Sequence, residues 1–319
     1  MAKKRRDDEL DSLSRVFAQL DEAPPGLHDV ESPAPNLAAG LPPALIELYA
    51  HCDGVRLYVD AVEILPVSRV ELTGERWKFA ESEGAAIFID QRGRIWRDDE
   101  SLDDAVCEGT RLDRWLAGIV DSTGLFYDPD GEFAEDAFDE EGEINPDLRE
   151  RALRAQLKRD PTAPGPRWRL GLALIDQELL DKARDQLEQT VAGDPTFAWA
   201  WLDLARISER LGELTNAVDE CRMAAETAEG ARHPQAGYFY SQLARLAVRN
   251  SDEVVRVHAA SKAAQLDPTL KTAQLAGARE CMASEDRLSA AGLLELLRAV
   301  WPRDLEVLDL ARKLDEAIN

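Results

Sequence analysis

The sequence predicts an α+β domain followed by an all-α solenoid of repeated helix pairs. Prolines recur at Asp160-Pro161, Asp194-Pro195, Asp267-Pro268 and Trp301-Pro302, spaced by 34, 73 and 34 residues, and 73 is two periods of 34 plus five. Between those prolines, apolar and small residues fall at helical spacing. Before residue 121 the pattern differs, with helical stretches separated by short alternating runs such as Val55, Leu57 and Val59.

Residues 1–23 read as a basic arm and a helix, with Leu10, Leu13, Phe17 and Leu20 on one side of a helix over 7–20. Residues 23–43 are rich in Pro, Ala and Gly and read as irregular. Leu41-Pro42-Pro43 opens a helix through Cys52 that Asp53-Gly54 ends. Strands are expected at Val55, Leu57, Val59 and at Val62, Ile64. Residues 86–90 and 94–97 flank Gln91-Arg92-Gly93 as a β-hairpin, and 112–120 form a closing helix. The ordered set Leu41-Pro42-Pro43, Glu47-Leu48-Tyr49, Cys52-Asp53-Gly54, Glu63-Ile64-Leu65-Pro66, the hairpin and the final helix resembles the SUKH superfamily over 24–120. The long first helix of that family is interrupted here by Pro33 and Pro35. The resemblance implies a binding domain, in bacteria often an immunity protein that neutralises a toxin such as a nuclease, without shared catalytic residues.

Residues 121–147 hold eleven acids and no Lys or Arg. A calcium loop fails on spacing: aligning Gly131 puts Phe126 at position 1 and Ala137 at position 12, and aligning Gly142 puts Ala137 at position 1. Leu125, Phe126, Tyr127, Phe133 and Phe138 are interleaved with the acids, more aromatics than a solvated linker needs, so this connector is expected to pack against something.

Residues 148–319 form the solenoid, about four units with flanking helices. Leu170-Gly171, Ala183 and Leu187 mark the first unit, and Trp201, Leu204-Ala205, Gly212, Ala217 and Ala224 the second. Tyr240, Leu243-Ala244 and Ala263 mark the third, and Gly277-Ala278, Ala290 and Leu294 the fourth. Small residues let paired helices approach while large ones fill the seam. These positions resemble the tetratricopeptide family, which implies a protein-binding solenoid. The five extra residues fall near 229–235, where Gly230 and Pro234 predict a lengthened loop, and Leu305, Leu308, Ala311 and Leu314 predict a terminal capping helix.

Net charge is −24: residues 1–150 hold 36 acids against 15 bases (net −21) and 151–319 hold 26 against 23 (net −3). That surface disfavours nucleic acid and anionic lipid and favours basic partners. No apolar run reaches membrane-span length, no secretory signal follows the basic start, and the scattered Cys52, Cys107, Cys221 and Cys281 suit a reducing cytoplasm. The four histidines stand apart. His51-Cys52-Asp53 lies at a helix end, where adjacent side chains diverge, so it reads as structural. No catalytic residue, metal site or cofactor is expected.

The candidate site is the inner face of the solenoid. The repeat register places Arg206 and Arg210, Arg245 and Arg249, and Arg279 on it, with Trp168, Trp199, Leu202 and Tyr238 as its floor. Arginine forks suit carboxylates and aromatics dominate hot spots, so the expected function is a non-enzymatic adaptor holding an acidic partner segment. That segment is either external or the chain's own 121–147 stretch, and the N-terminal domain takes a second partner. The other reading is an immunity-type protein whose acidic face blocks a basic toxin.

Overall fold

The structure, a computed structural model, describes residues 12–33, 37, 40–59, 61–139 and 142–318. The chain divides into two compact units, Met1–Asp194 and Pro195–Asn319.

In the first unit, α1 (Ser12–Asp21) precedes β1 (His28–Val30), and α2 (Pro43–Tyr49) is followed by β2 (Val55–Leu57) and β3 (Val62–Ile64). Next come β4 (Glu71–Thr73), β5 (Arg76–Ser82), β6 (Ala85–Asp90), β7 (Ile95–Asp99), β8 (Asp104–Gly109) and α3 (Leu112–Thr123). The strands form one antiparallel sheet in the order β1-β2-β3-β5-β6-β7-β8, with β4 paired to the first half of β5. β5 serves β4 with Arg76–Lys78 and β3 with Ala80–Ser82 on one edge, and on its other edge the ladder to β6 slips at Phe79. One sheet face buries Ile64, Phe79, Ile87, Ile89 and Ile95 against Leu13, Leu45, Leu48, Trp115 and Leu116 of the helices.

The expected helices, the β2–β3 pair and the 86–97 hairpin are present. The part of the first helix predicted before Ser12 lies outside the described residues. Two readings are corrected. Residues 28–30 are a strand rather than irregular, because their backbone completes the free edge of β2. β2 stops at Leu57: Tyr58 and Val59 turn left-handed, which sends the Tyr58 ring inward to donate from its hydroxyl to the Val120 carbonyl (2.6 Å).

The acidic connector folds as two turns of one design, eleven residues apart. Tyr127 bridges Phe133 and Phe138 bridges Ile144. In each, the Asp amide donates to a Glu carbonyl four residues on (Asp128 to Glu132, Asp139 to Glu143, both 2.8 Å), and the Asp side chain accepts the returning Glu amide. Gly131 (φ +87°) and Gly142 (φ +84°) supply the left-handed corners. The connector packs on the sheet domain: Tyr127 stacks on Tyr58, and Pro24 lies 3.2 Å from where a Gly131 Cβ would sit.

Three more helices belong to this unit: α4 (Pro146–Arg159), α5 (Pro164–Asp176) and α6 (Leu180–Gly193). The compact division falls after Asp194 because the first helix pair is tied to the sheet domain. Gly165 abuts the Cys107 carbonyl, Arg169 pairs with the buried Glu108, and the buried Asp160 accepts from the Thr110 amide (2.6 Å) and hydroxyl (2.8 Å).

The second unit runs α7 (Ala198–Arg210), α8 (Leu214–Gly230), α9 (Ala236–Arg249), α10 (Glu253–Leu266), α11 (Leu270–Ala283), α12 (Arg287–Val300) and α13 (Leu305–Ile318). Each helix-to-helix turn within a pair has a left-handed residue, at Glu178, Gly212, Ser251 and Glu285, and an amide closing back five residues, as from Glu213 to Ser208 and Asp252 to Ala247. Those four positions are themselves 34, 39 and 34 apart, so the repeat is written in the backbone as well as in the prolines. The five extra residues do not chiefly lengthen a loop: α8 has 17 residues where α6 and α10 have 14, because the helix continues through Gly230.

Candidate functional site on the helical repeat

Two first helices of the second unit, α7 and α9, lie side by side. Trp199 meets Phe239 (ring centroids 4.8 Å) and Tyr238 (6.1 Å), while Glu209 reaches across to Arg245 and Arg249. This brings Trp199, Arg206, Tyr238, Arg245 and Arg249 into one area. Arg210 follows at the exposed C-terminal end of α7.

The chemistry of that face differs from a bare cationic trough. Arg206 pairs with the buried Asp203 (2.7 Å) and bonds Tyr238. Arg245 makes a fork with both oxygens of Glu209 (2.6 and 2.7 Å), Arg249 shares the same carboxylate, and Glu295 stands 3.9 Å from Arg245. Burial pushes the Glu209 carboxyl up, but Arg245 and Arg249 outweigh it and hold the group below the usual carboxylate range. Arg206, Arg245 and Arg249 therefore meet the carboxylates of Asp203, Glu209 and Glu295, and this group is close to neutral. Reading arginines alone missed Asp203, one turn before Arg206, and Glu209, also on α7 but reaching across to the arginines of α9. The recoverable signal was the acid three residues from its arginine.

Three predicted contacts stand elsewhere. Leu202 is 1% exposed and belongs to the core between α7 and α9, so it supports the face from behind. Trp168 is buried within the first unit. Arg279 does not join the row but pairs with Glu306 of α13. In a regular stack α11 would lie next to α9. Here α12 takes that place, because Ala299 and Val300 fill the α9–α10 core and Arg256 donates to the Ala299 carbonyl (3.0 Å). Residues Gly292, Glu295 and Leu296 of α12 thus face Tyr238, Gln242 and Arg245 across a cleft of about 400 Å³. A second cleft of about 860 Å³ opens between the α9–α10 turn and α12–α13, with Val248, Leu294 and Leu308 as apolar lining and Arg256, Arg298 and Arg303 among its charges.

The His51-Cys52-Asp53 set is dispersed. His51 stacks on Phe17, burial pushes the Cys52 thiol up to about 11, and Asp53 accepts the Val67 amide (2.8 Å). Among the described residues no three His, Cys, Asp or Glu side chains are grouped to hold a metal ion, and no helix is long and apolar enough to cross a membrane.

No protein-family model and no curated protein matches the chain. Solved structures that resemble it include PilF of Pseudomonas aeruginosa (14% identity, 55% of this chain and 77% of that one, TM-score 0.38). MamA is similar at 20% identity (54% and 92%, TM-score 0.36), and YrrB, a TPR protein with an unusual peptide-binding site, at 18% (52% and 84%, TM-score 0.35). At such scores the likeness carries no functional weight. Neither comparison supports the SUKH resemblance read from the motifs of residues 24–120.

Proposed function

We propose that the chain is a non-enzymatic protein–protein interaction adaptor whose α7–α9 face takes a segment of a partner. The observation that supports this is the side-by-side placement of Trp199, Arg206, Tyr238 and Arg249 on two first helices, beside an open cleft. Aromatic rings supply contact area at low entropic cost, and arginine forks supply direction. Because Asp203 and Glu209 already engage the arginines, an acidic segment has to share them. Its charge preference is therefore modest and its rings anchor it. Such a contact weakens with salt, since exposed pairs are screened over about 8–10 Å.

The test is recovery of cross-linked partners by the full-length chain and by an Arg206→Glu/Arg210→Glu/Arg249→Glu variant, which leaves the more buried Arg245 in place. Loss of the recovered partners with an unchanged circular dichroism spectrum is the expected result. An identical partner set from both proteins rejects the face as the binding site.

A further inference from the structure

The connector of the first unit carries an aromatic ladder that runs out to solvent. Tyr58 stacks on Tyr127 (ring centroids 5.3 Å), Tyr127 on Phe133 (5.0 Å), and Phe133 meets Phe138 edge to face (5.1 Å). The inner end is anchored, with the Tyr127 hydroxyl donating to the Tyr58 carbonyl (3.2 Å). The outer end is open: Phe133 is 57% and Phe138 41% exposed. Single exposed apolar residues are ordinary, but two touching rings at the end of an ordered stack form a contiguous patch, the kind that marks interaction sites.

Carboxylates flank the two rings along the chain. Asp130, Glu132, Glu135 and Glu143 are exposed and have no ion pair among the described residues, and Asp136 has only a 3.8 Å contact with Arg151. The tandem turns explain the arrangement. The Asp of each turn is consumed by backbone amides, which fixes the corner, while the following Glu and the flanking rings are left outward.

We propose that this patch binds an arginine-bearing extended segment of a partner protein. A guanidinium lies flat on an aromatic face and at the same time donates a fork to a neighbouring carboxylate, which an ammonium does not do. Phosphate-bearing partners, whether nucleic acid or lipid surface, bring the same sign of charge as residues 121–147 and are repelled. The surface lies in the first unit and shares no residue with the α7–α9 face, so each site stands or falls separately.

The test is fluorescence anisotropy of the full-length chain with a labelled synthetic peptide of alternating arginine and glycine, against the same peptide with lysine for arginine. Wild type is expected to favour the arginine peptide by about tenfold. Phe133→Ala/Phe138→Ala is expected to lose that preference, and Phe133→Leu/Phe138→Leu, which keeps apolar bulk without rings, to lose it as well. Failure of wild type to bind the arginine peptide, equal binding of the two peptides, or a preference retained in the leucine variant overturns the proposal.

Discussion

Replacing Glu209 with Gln removes the carboxylate charge that Arg245 and Arg249 share, at nearly constant volume. The Arg245 side chain is 15% exposed and that of Glu209 12%, so water replaces little of what is lost. Arg245 would keep Gln242 at 3.1 Å and Glu295 at 3.9 Å, neither of which restores two short charged bonds. Breaking a fully buried pair costs about 3–5 kcal/mol; with partial exposure and Glu295 nearby, Glu209→Gln should cost the second unit about 2–3 kcal/mol. The assay is a double-mutant cycle with Arg245→Met, read by urea unfolding together with hydrogen exchange in α7 and α9. A coupling energy under about 0.5 kcal/mol refutes the reasoning. The pH dependence follows from the sign of the shift. The Glu209 carboxyl is held below its unfolded value of about 4.3, so its contribution is complete above that pH and is lost as pH falls through the folded value. The stability gap between wild type and Glu209→Gln should therefore be constant near neutrality and close below about pH 4.

Three further outcomes are expected. Gly237→Ala should destabilise the α9–α10 packing by about 1–3 kcal/mol in thermal unfolding, because its Cβ would stand 2.6 Å from the Asp267 Cβ and 3.1 Å from its backbone nitrogen. Asp160→Ala, which strips two hydrogen bonds from Thr110 at a carboxylate 2% exposed, should lower the stability of the first unit by about 2–3 kcal/mol; an unchanged denaturant midpoint would contradict this. Burial pushes the thiols of Cys107 and Cys221 up to about 12 and that of Cys52 up to about 11. Ellman's reagent at neutral pH should thus titrate Cys281 first and the other three only on unfolding.

The repeat was legible because its signal is local. Proline after a helix end and a small residue at each crossing are properties of single positions, and the 34-residue spacing of the left-handed turns follows the same register. The β6–β7 hairpin was legible for the same reason, its corner lying in four consecutive residues with Gly93 at φ +81°. Strands β1, β4, β5 and β8 were not read. β1 and β4 are three-residue segments made strands by a neighbour's free edge, and β5 and β8 gain their place from pairings to residues far from their own turns.

Sequence alone determined that a sheet domain precedes repeated helices, where prolines separate those helices, and that nearly all the excess negative charge lies in the first 150 residues. Only the tertiary structure decided what the arginines do. Their spacing along one helix is a local quantity, and Arg206 finds Asp203 on its own helix, but Arg245 and Arg279 take their ionic partners, Glu209 and Glu306, from other helices. It also decided that α12, rather than α11, lies against α9, since that choice turns on which apolar stripe, Ala299 and Val300 or that of α11, fills the core laid down by α9 and α10 earlier in the chain. Burial is a sum over the whole fold, and a periodic pattern states that a face will be covered without stating by what.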